Sequence, residues 1–502
     1  MQLSKSEYMM FLKHPAWVWL KKNDKSKLPE IDDNTQAIFD MGNAFEKYAE
    51  KLMPDGVRLG FDGFDEYEDL AGRTEQAIKD GNRIIFQARF TAKMEGEELP
   101  ADSSITCITD VVHFVGEKEV ELYEIKSSTR AKADHYKDLA FQKIVLQENG
   151  YDVVSCSVMH VNNRYVKNGD IDEHEFVGMT DVTRQVDDIL EQTKLNIYQA
   201  IDTGSQKTMP DPSPRYAKSG GFQPWLEVYE KLFPELDKRS IYNYGFLGAA
   251  KIGLLEDEGV EIYNEIPDSI ALTKKQRLLV DATKSNKPTI EADKIKEFLE
   301  TLSYPIYFLD YETMGGLMPA FDGLRPYQQV PFQYSLHYIE EPGGKLKHKE
   351  YLHTDNTHPG EYVAEQLSRD LGPEGSVLVW YQDFEKGVNT NVGKMFPQYA
   401  DFMAQVNSRI VDLMVPFSNS WYIHPDAMGS ASIKYVLPAL VPELTYDDLE
   451  IGDGQSAQRL WMETVLDGKD ADKKEETFDD LIKYCTQDTL AMVKIWEILN
   501  KL

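Results

Sequence analysis

The stretch Tyr304-Pro-Ile-Tyr-Phe-Leu-Asp310-Tyr-Glu312-Thr-Met314 decides how the C-terminal part of this chain folds. A proline stands near its start, and residues 306–309 are apolar without interruption. That is the pattern of a strand buried on both faces of an α/β sheet. Asp310 and Glu312 follow, two residues apart. Strand side chains alternate between faces, so both carboxylates leave the sheet side by side. Adjacent carboxylates repel, and burial raises the pKa of one of them. A divalent metal relieves that conflict. Hard oxygen ligands suit magnesium or manganese, and paired ions about 3.5–4 Å apart serve phosphodiester cleavage. The plain alternative is a strand that ends in acidic residues because the whole chain is acidic.

The 502 residues predict two or three domains rather than one core. A hydrophobic content of 42% with 28% charged residues is that of a soluble globular protein. No apolar run approaches the length that spans a bilayer, so no membrane association is expected. Residues 1–7 show no apolar core with a small-residue cleavage site, so no secretion signal is expected. The three cysteines, Cys107, Cys156 and Cys485, are far apart and cannot supply a four-thiolate cluster or zinc site. A reducing cytoplasm is the expected location. The net charge of −31 is the wrong sign for tight non-specific binding to duplex DNA. It leaves room for a local basic channel or for metal-mediated contact with phosphate.

Residues 1–60 read as helical, opening on a capping box at Ser4-Lys-Ser-Glu7. A helix over 34–52 places Gly42 and Glu46 on one face. A further helix over 70–80 and a strand over 83–90 follow. Then Ile105-Thr-Cys-Ile-Thr-Asp110-Val-Val-His-Phe reads as a strand, 115–118 as a turn, and Val120-Glu-Leu-Tyr-Glu124-Ile-Lys126 as the returning strand. Glu124 and Lys126 share a face, and Asp110 lies on the paired strand. The two carboxylates can hold a metal, and the lysine can polarise water or neutralise phosphate charge. A surface hairpin with a cross-strand ion pair is the alternative. The next helix carries Asp138, Gln142 and Leu146 at helical spacing. Residues 181–202 read as one amphipathic helix, and the Gly-, Ser- and Pro-rich 204–222 as a linker.

This pattern resembles the RecB-like branch of the PD-(D/E)XK nucleases. The resemblance implies that Asp110, Glu124 and Lys126 form the catalytic and metal-binding set. It makes Gln142 the helical glutamine that meets substrate, and Glu46 a metal ligand where relatives often have histidine. Many relatives hold an iron–sulfur cluster through a cysteine before a proline near the N-terminus. Here His14 precedes Pro15, and residues 210–225 contain no cysteine, so no iron–sulfur cluster is expected.

Downstream of the opening stretch, residues 331–339 and 376–381 read as strands, the latter leading into Gln382-Asp383-Phe-Glu385. Asp412 follows a helix. A long helix over 478–499 carries Tyr484 and Asp488, whose i, i+4 spacing puts both on one face. The order Asp-x-Glu, a later acid, then Tyr-x-x-x-Asp resembles the tyrosine class of DEDD exonucleases, which have an RNase H-like fold. The resemblance implies that Asp310, Glu312 and Asp488 hold two metals and that Tyr484 orients the attacking water. The remaining acid is Glu385 after Phe384, where the family has aspartate, with Asp383 as competitor. A helix-capping role is the alternative for either. Asp412 matches a residue near that family's site and is equally readable as structural.

The combination resembles an uncharacterised prokaryotic family of unknown function. The phrases Arg325-Pro-Tyr-Gln-Gln-Val-Pro-Phe-Gln-Tyr-Ser-Leu-His337, Gly429-Ser-Ala-Ser-Ile-Lys-Tyr-Val-Leu-Pro438 and Tyr484-Cys-Thr-Gln-Asp-Thr489 carry the likeness. The expected architecture is α/β in three parts. Residues 1–203 form a PD-(D/E)XK domain, 204–300 a helical connecting region and 301–502 an RNase H-like exonuclease domain. The expected function is Mg2+- or Mn2+-dependent hydrolysis of DNA or RNA, single-stranded or with a free end. A 3′–5′ exonuclease site lies C-terminal and a second site N-terminal. The competing expectation is a catalytically silent nucleic-acid-binding scaffold in a defence or repair complex.

Overall fold

Ser4 ends a short strand, β1 (Gln2–Ser4), and caps helix α1 (Lys5–Lys13). Its hydroxyl accepts the Glu7 amide at 3.3 Å, and the Glu7 carboxylate accepts the Ser4 amide at 2.9 Å. This is the capping box that the sequence predicts. The computed structural model describes residues 1–96, 99–218, 220–244, 247–446, 448–469 and 472–502 of a mixed α/β chain. The chain divides into two compact units. One comprises Met1–Leu236, Gly248–Gly253 and Leu324–Pro326, the other Asp237–Leu247, Leu254–Gly323 and Tyr327–Leu502. No described helix is long and apolar enough to cross a membrane.

In the first unit a helix over Pro15–Asn23 follows α1, and helix α2 (Asp33–Lys51) comes after it. The strands are β2 (Val57–Arg58), β3 (Ile84–Lys93), β4 (Ser104–Phe114), β5 (Glu119–Lys126), β6 (Asp152–Val161) and β7 (Val177–Asp181), with helix α3 (Ala133–Glu148) between β5 and β6. Strands β2 to β7 are neighbours in sequence order, and β1 runs parallel to the start of β4. The β3-β4-β5 meander is antiparallel, whereas β6 lies parallel to β5 after the α3 crossover. A parallel return needs such a crossover, and here it lays Leu139, Phe141, Ile144 and Val145 into the sheet's core.

Two stretches differ from the sequence reading. Residues 181–202 are not one helix: β7 ends at Asp181, and two helices follow, Thr183–Asp187 and Leu190–Ser205. The apolar face is shared by both pieces, since Val186, Ile197 and Ile201 are all buried, so periodicity alone does not reveal the break. The 204–222 stretch is docked along its course. His14 stacks on Trp225 with ring centroids 3.8 Å apart and bonds the Ser213 carbonyl at 3.0 Å. The Lys218 amide donates to the Lys13 carbonyl at 2.9 Å. Turn-forming composition describes the backbone shape and is silent on the bonds that hold it.

The second unit is built on β8 (Ile306–Met314), β9 (Val330–Ile339), β10 (Lys347–Leu352), β11 (Ser376–Val379) and β12 (Ile410–Asp412). Their order is β10-β9-β8-β11-β12, with β8 antiparallel to β9 and parallel to β11. The apolar run of β8 divides by alternation between two cores. The unit also carries helices α4 (Gln382–Met395), α5 (Gly454–Trp461) and α6 (Lys474–Leu499), and Ile306 and Phe308 pack with Met492, Ile495 and Trp496 of α6. Tyr307 and Leu309 pack with Val388 and Val392 of α4 on the opposite face. Burial on both faces is what the uninterrupted apolar pattern predicts. Strand β11 ends at Val379, two residues before the predicted end. Tyr381 takes a left-handed backbone, φ 78° and ψ 75°, a conformation that costs a non-glycine residue about 1 kcal/mol or more.

Candidate active site

Asp310 and Glu312 point to the face of β8 that α6 covers, and their register partners on β9 are Ser335 and Gln333. That strand docks the helix. The Gln333 side-chain amide donates to the Leu481 carbonyl at 2.9 Å. The Thr489 hydroxyl bonds Ser335 at 2.6 Å and His337 at 2.8 Å. These three bonds set the height of α6 on the sheet, and so deliver Tyr484 and Asp488 to the two strand carboxylates. Cys485 lies between, and ligand atoms of Asp310, Glu312 and Cys485 all fall within 4.8 Å of one another.

The fourth acid comes from α4. Its entry is shaped by Asp412, whose carboxylate accepts the amides of Tyr381 and Gln382, each at 3.1 Å, and of Met414 at 2.9 Å. Asp412 is therefore a structural anchor that turns the chain into α4. From this start Glu385 points inward and is buried, while Asp383 is exposed, so Glu385 completes the set. The four acids and Tyr484 line one cavity of about 350 Å³.

Electrostatics follow from this crowding. Burial, then the charge of Asp488, pushes Asp310 well above the usual carboxylate range. Burial and the neighbouring carboxylates do the same to Glu312 and Glu385. Asp488 is pushed up to about 6 by burial, restrained by hydrogen bonds from Tyr446 and Tyr484 and by the charge of Lys434. The Tyr484 phenol is raised by burial and then by Asp488 and Glu312, so it stays neutral. The Cys485 thiol is raised in the same way.

This donor set fits a hard divalent cation. It offers four carboxylates, and among the described residues no lysine or arginine forms an ion pair with any of them. Lys434, whose charge reaches Glu312 and Asp488, bonds the Gly452 carbonyl instead. Glu385 Oε2 is buried without a hydrogen-bond partner. A buried carboxyl oxygen without a partner is costly, and a cation that meets it removes that cost. Sequence reasoning missed Tyr446, whose phenol donates to Asp488 Oδ1 and whose loop is tied to α6 by Gln487 Nε2 donating to the Thr445 carbonyl at 2.6 Å. It lies about forty residues before its partner, and no spacing rule links the two.

The N-terminal candidates also converge, on a different basis. Asp110 accepts the Ile125 amide at 2.7 Å, and Glu124 is wholly buried beside it. Lys126 is partly buried, and its ammonium pairs with Glu124 and, at 3.1 Å, with Asp138. Gln142 lies at the base of the cluster and donates to Glu124 and to Asp138 at 3.0 Å. It holds the carboxylates and has no surface to offer a substrate. Glu46 sits to one side, bonded to Arg58 and Gln87, though its charge reaches Asp110. The residue missed here is Lys5, the first of α1, which pairs with Glu124 and Asp138, each at 3.1 Å. Burial and Asp110 push Glu124 up, but Lys126 and Lys5 outweigh them and leave it below the usual range.

Comparison with known proteins places Asp310, Glu312, Glu385 and Asp412 inside a matched segment: residues 307–432 match a domain of unknown function (DUF2779). The chain is 22% identical over 299 residues to the Uncharacterized protein MG366 homolog of Mycoplasma pneumoniae, covering 55% of this chain and 43% of that protein. It is 21% identical over 243 residues to the Uncharacterized protein MG366 of Mycoplasma genitalium, covering 44% and 36% respectively. The chain thus spans less than half the length of the curated relatives it matches.

Proposed function

We propose that the C-terminal unit is a divalent-metal-dependent nuclease that hydrolyses phosphodiester bonds from a free 3′ end. The observation that carries this is the convergence of Asp310, Glu312, Glu385 and Asp488 on one cavity, with Glu385 Oε2 left without a partner. The strand order β10-β9-β8-β11-β12, with both acids on the central strand β8, supports an RNase H-like reading of this unit. These four carboxylates would hold Mg2+ or Mn2+, and the bound ions would supply Lewis acidity and charge neutralisation at the phosphoryl group.

The chain's own groups do the rest. Tyr484 presents a neutral phenol beside Asp488, suited to orient the attacking water by hydrogen bonding. Tyr446 and the Thr489 contacts keep Asp488 from turning away. Asp412 fixes the turn that aims Glu385. The Asp110–Glu124–Lys126 set of the first unit is proposed as a second hydrolytic centre of PD-(D/E)XK type. Glu385, which stands where the exonuclease family has aspartate, keeps its carboxylate in the cluster, so this departure lends no support to a catalytically silent scaffold.

The test is cleavage of end-labelled single-stranded DNA, duplex DNA and RNA with Mg2+ or Mn2+, comparing the native chain with Asp310→Asn. Metal-dependent shortening from the 3′ end that disappears in the variant is the expected result. Absence of cleavage on all three substrates, with no metal binding by calorimetry, would refute the assignment.

A further inference from the structure

The two carboxylate centres meet their charge in opposite ways. In the second unit the acids face one another with no side-chain cation paired to them among the described residues. In the first, both oxygens of Glu124 and both of Asp138 are engaged. Glu124 Oε1 accepts from Lys5 and Lys126, and Oε2 accepts from Gln142. Asp138 Oδ1 meets Lys5 and Gln142, and Oδ2 meets Lys126. Among the described residues no group of three close donor atoms forms there, in contrast to Asp310, Glu312 and Cys485. As it stands, this donor set does not fit a divalent ion.

Lys126 belongs to the local pattern, since it follows Glu124 by two on the same strand face. Lys5 comes from elsewhere in the chain. Strand β1 pairs with β4 through Ser4 and Thr106, and the Ser4–Glu7 box fixes where α1 begins. Together they hold Lys5 over the carboxylates, with its side chain 19% exposed.

We propose that Lys5 is an internal counter-ion standing where a divalent cation would bind Glu124, so the N-terminal centre takes its metal only by displacing this ammonium. Lys5 has this role within the hydrolytic centre proposed above. With the Lys5 stem swung to solvent, Lys126 is the one ammonium left on Glu124 Oε1 and Gln142 the one donor left on Asp138 Oδ1 among the described residues. Metal occupancy of this centre is then set by competition with a tethered cation, whereas the C-terminal centre has no such competitor.

The experiment is calorimetric titration of Mn2+ into the full-length chain carrying Asp310→Asn, Glu312→Gln, Glu385→Gln and Asp488→Asn, which removes all four carboxylates of the C-terminal cavity so that the N-terminal centre is read. Lys5→Met and Lys5→Gln remove the charge, and Lys5→Arg retains it. The expected result is Mn2+ binding roughly 10-fold tighter or more in Met and Gln, as removal of one like charge at close range implies, with Arg resembling the parent. Circular dichroism of each variant establishes that the fold is kept, and two neutral variants guard against one of them misfolding. Unchanged or weaker Mn2+ affinity in the folded neutral variants, or no binding in any variant, would overturn the proposal. Tighter Mn2+ binding with no cleavage of nucleic acid would support Lys5 as counter-ion while removing the hydrolytic reading of the centre.

Discussion

Replacing an acid of the proposed metal centre should stabilise the metal-free protein. In Asp488 burial lifts the carboxyl from an ordinary 3.8 to about 6. At about 1.4 kcal/mol for each tenfold change in acidity, keeping it ionised at neutral pH costs the fold about 3 kcal/mol. Because the folded-state value is raised, the stabilising proton is fully present below about pH 3.8. It is lost as pH climbs through about 6, so metal-free stability falls across that window. Asp488→Asn keeps the shape and still accepts from Tyr446, yet removes the charge. Its thermal midpoint in EDTA at pH 7.5 should therefore rise by roughly 6–12 °C, at about 2–4 °C per kcal/mol for a unit of this size. Mg2+ should raise the native midpoint and leave the variant's almost unmoved. Differential scanning calorimetry with and without Mg2+, repeated between pH 4 and 8, measures both effects. A variant less stable than the native chain in EDTA, with an equal response to Mg2+, would refute the account of these acids as a repulsive set awaiting a cation.

Other outcomes follow from the same contacts. Tyr484→Phe should keep Mn2+ affinity but slow cleavage by roughly 10²–10⁴-fold, the loss typical of a positioning or proton-handling group; wild-type rates would remove the phenol from the mechanism. Tyr446→Phe takes away a donor to a charged acceptor and should destabilise the protein by about 1.5–3 kcal/mol in chemical denaturation, opposite in sign to Asp488→Asn. His14 is held neutral, its pKa lowered to about 4 by burial. Stability should therefore fall by about 3 kcal/mol as pH drops from about 6.5 to 4, and His14→Asn should flatten that slope in pH-dependent unfolding. Lys126→Ala should abolish cleavage by the N-terminal centre and also lower the thermal midpoint, because it strips one cation from buried Glu124.

What the sequence determined by itself was local and periodic. The apolar run before Asp310 and Glu312 set a strand buried on both faces, and alternation put both acids on one side. The i, i+4 spacing of Tyr484 and Asp488 put them on one helix face. The Ser4–Glu7 box marked where α1 starts, and Glu124-x-Lys126 shared a strand face for the same reason of period. These features are legible because a backbone repeat of 2 or 3.6 residues converts spacing into direction without reference to the rest of the chain.

Tertiary structure decided which of these groups meet and what neutralises them. Glu385 rather than Asp383 joins the acids because Asp412, remote in sequence, bonds the Tyr381 and Gln382 amides and sets the phase of α4. Tyr446 reaches Asp488 across a loop, and His14 reaches Trp225 across two hundred residues. Lys5 closes on Glu124 only because β1 lies beside β4. Each contact joins residues whose separation has no period, so its energy depends on the packed fold that brings them together. The charge state of each centre is likewise a property of burial and of neighbours drawn from several elements. Four acids from three elements of the second unit repel across one cavity, while two lysines from two elements of the first unit satisfy theirs.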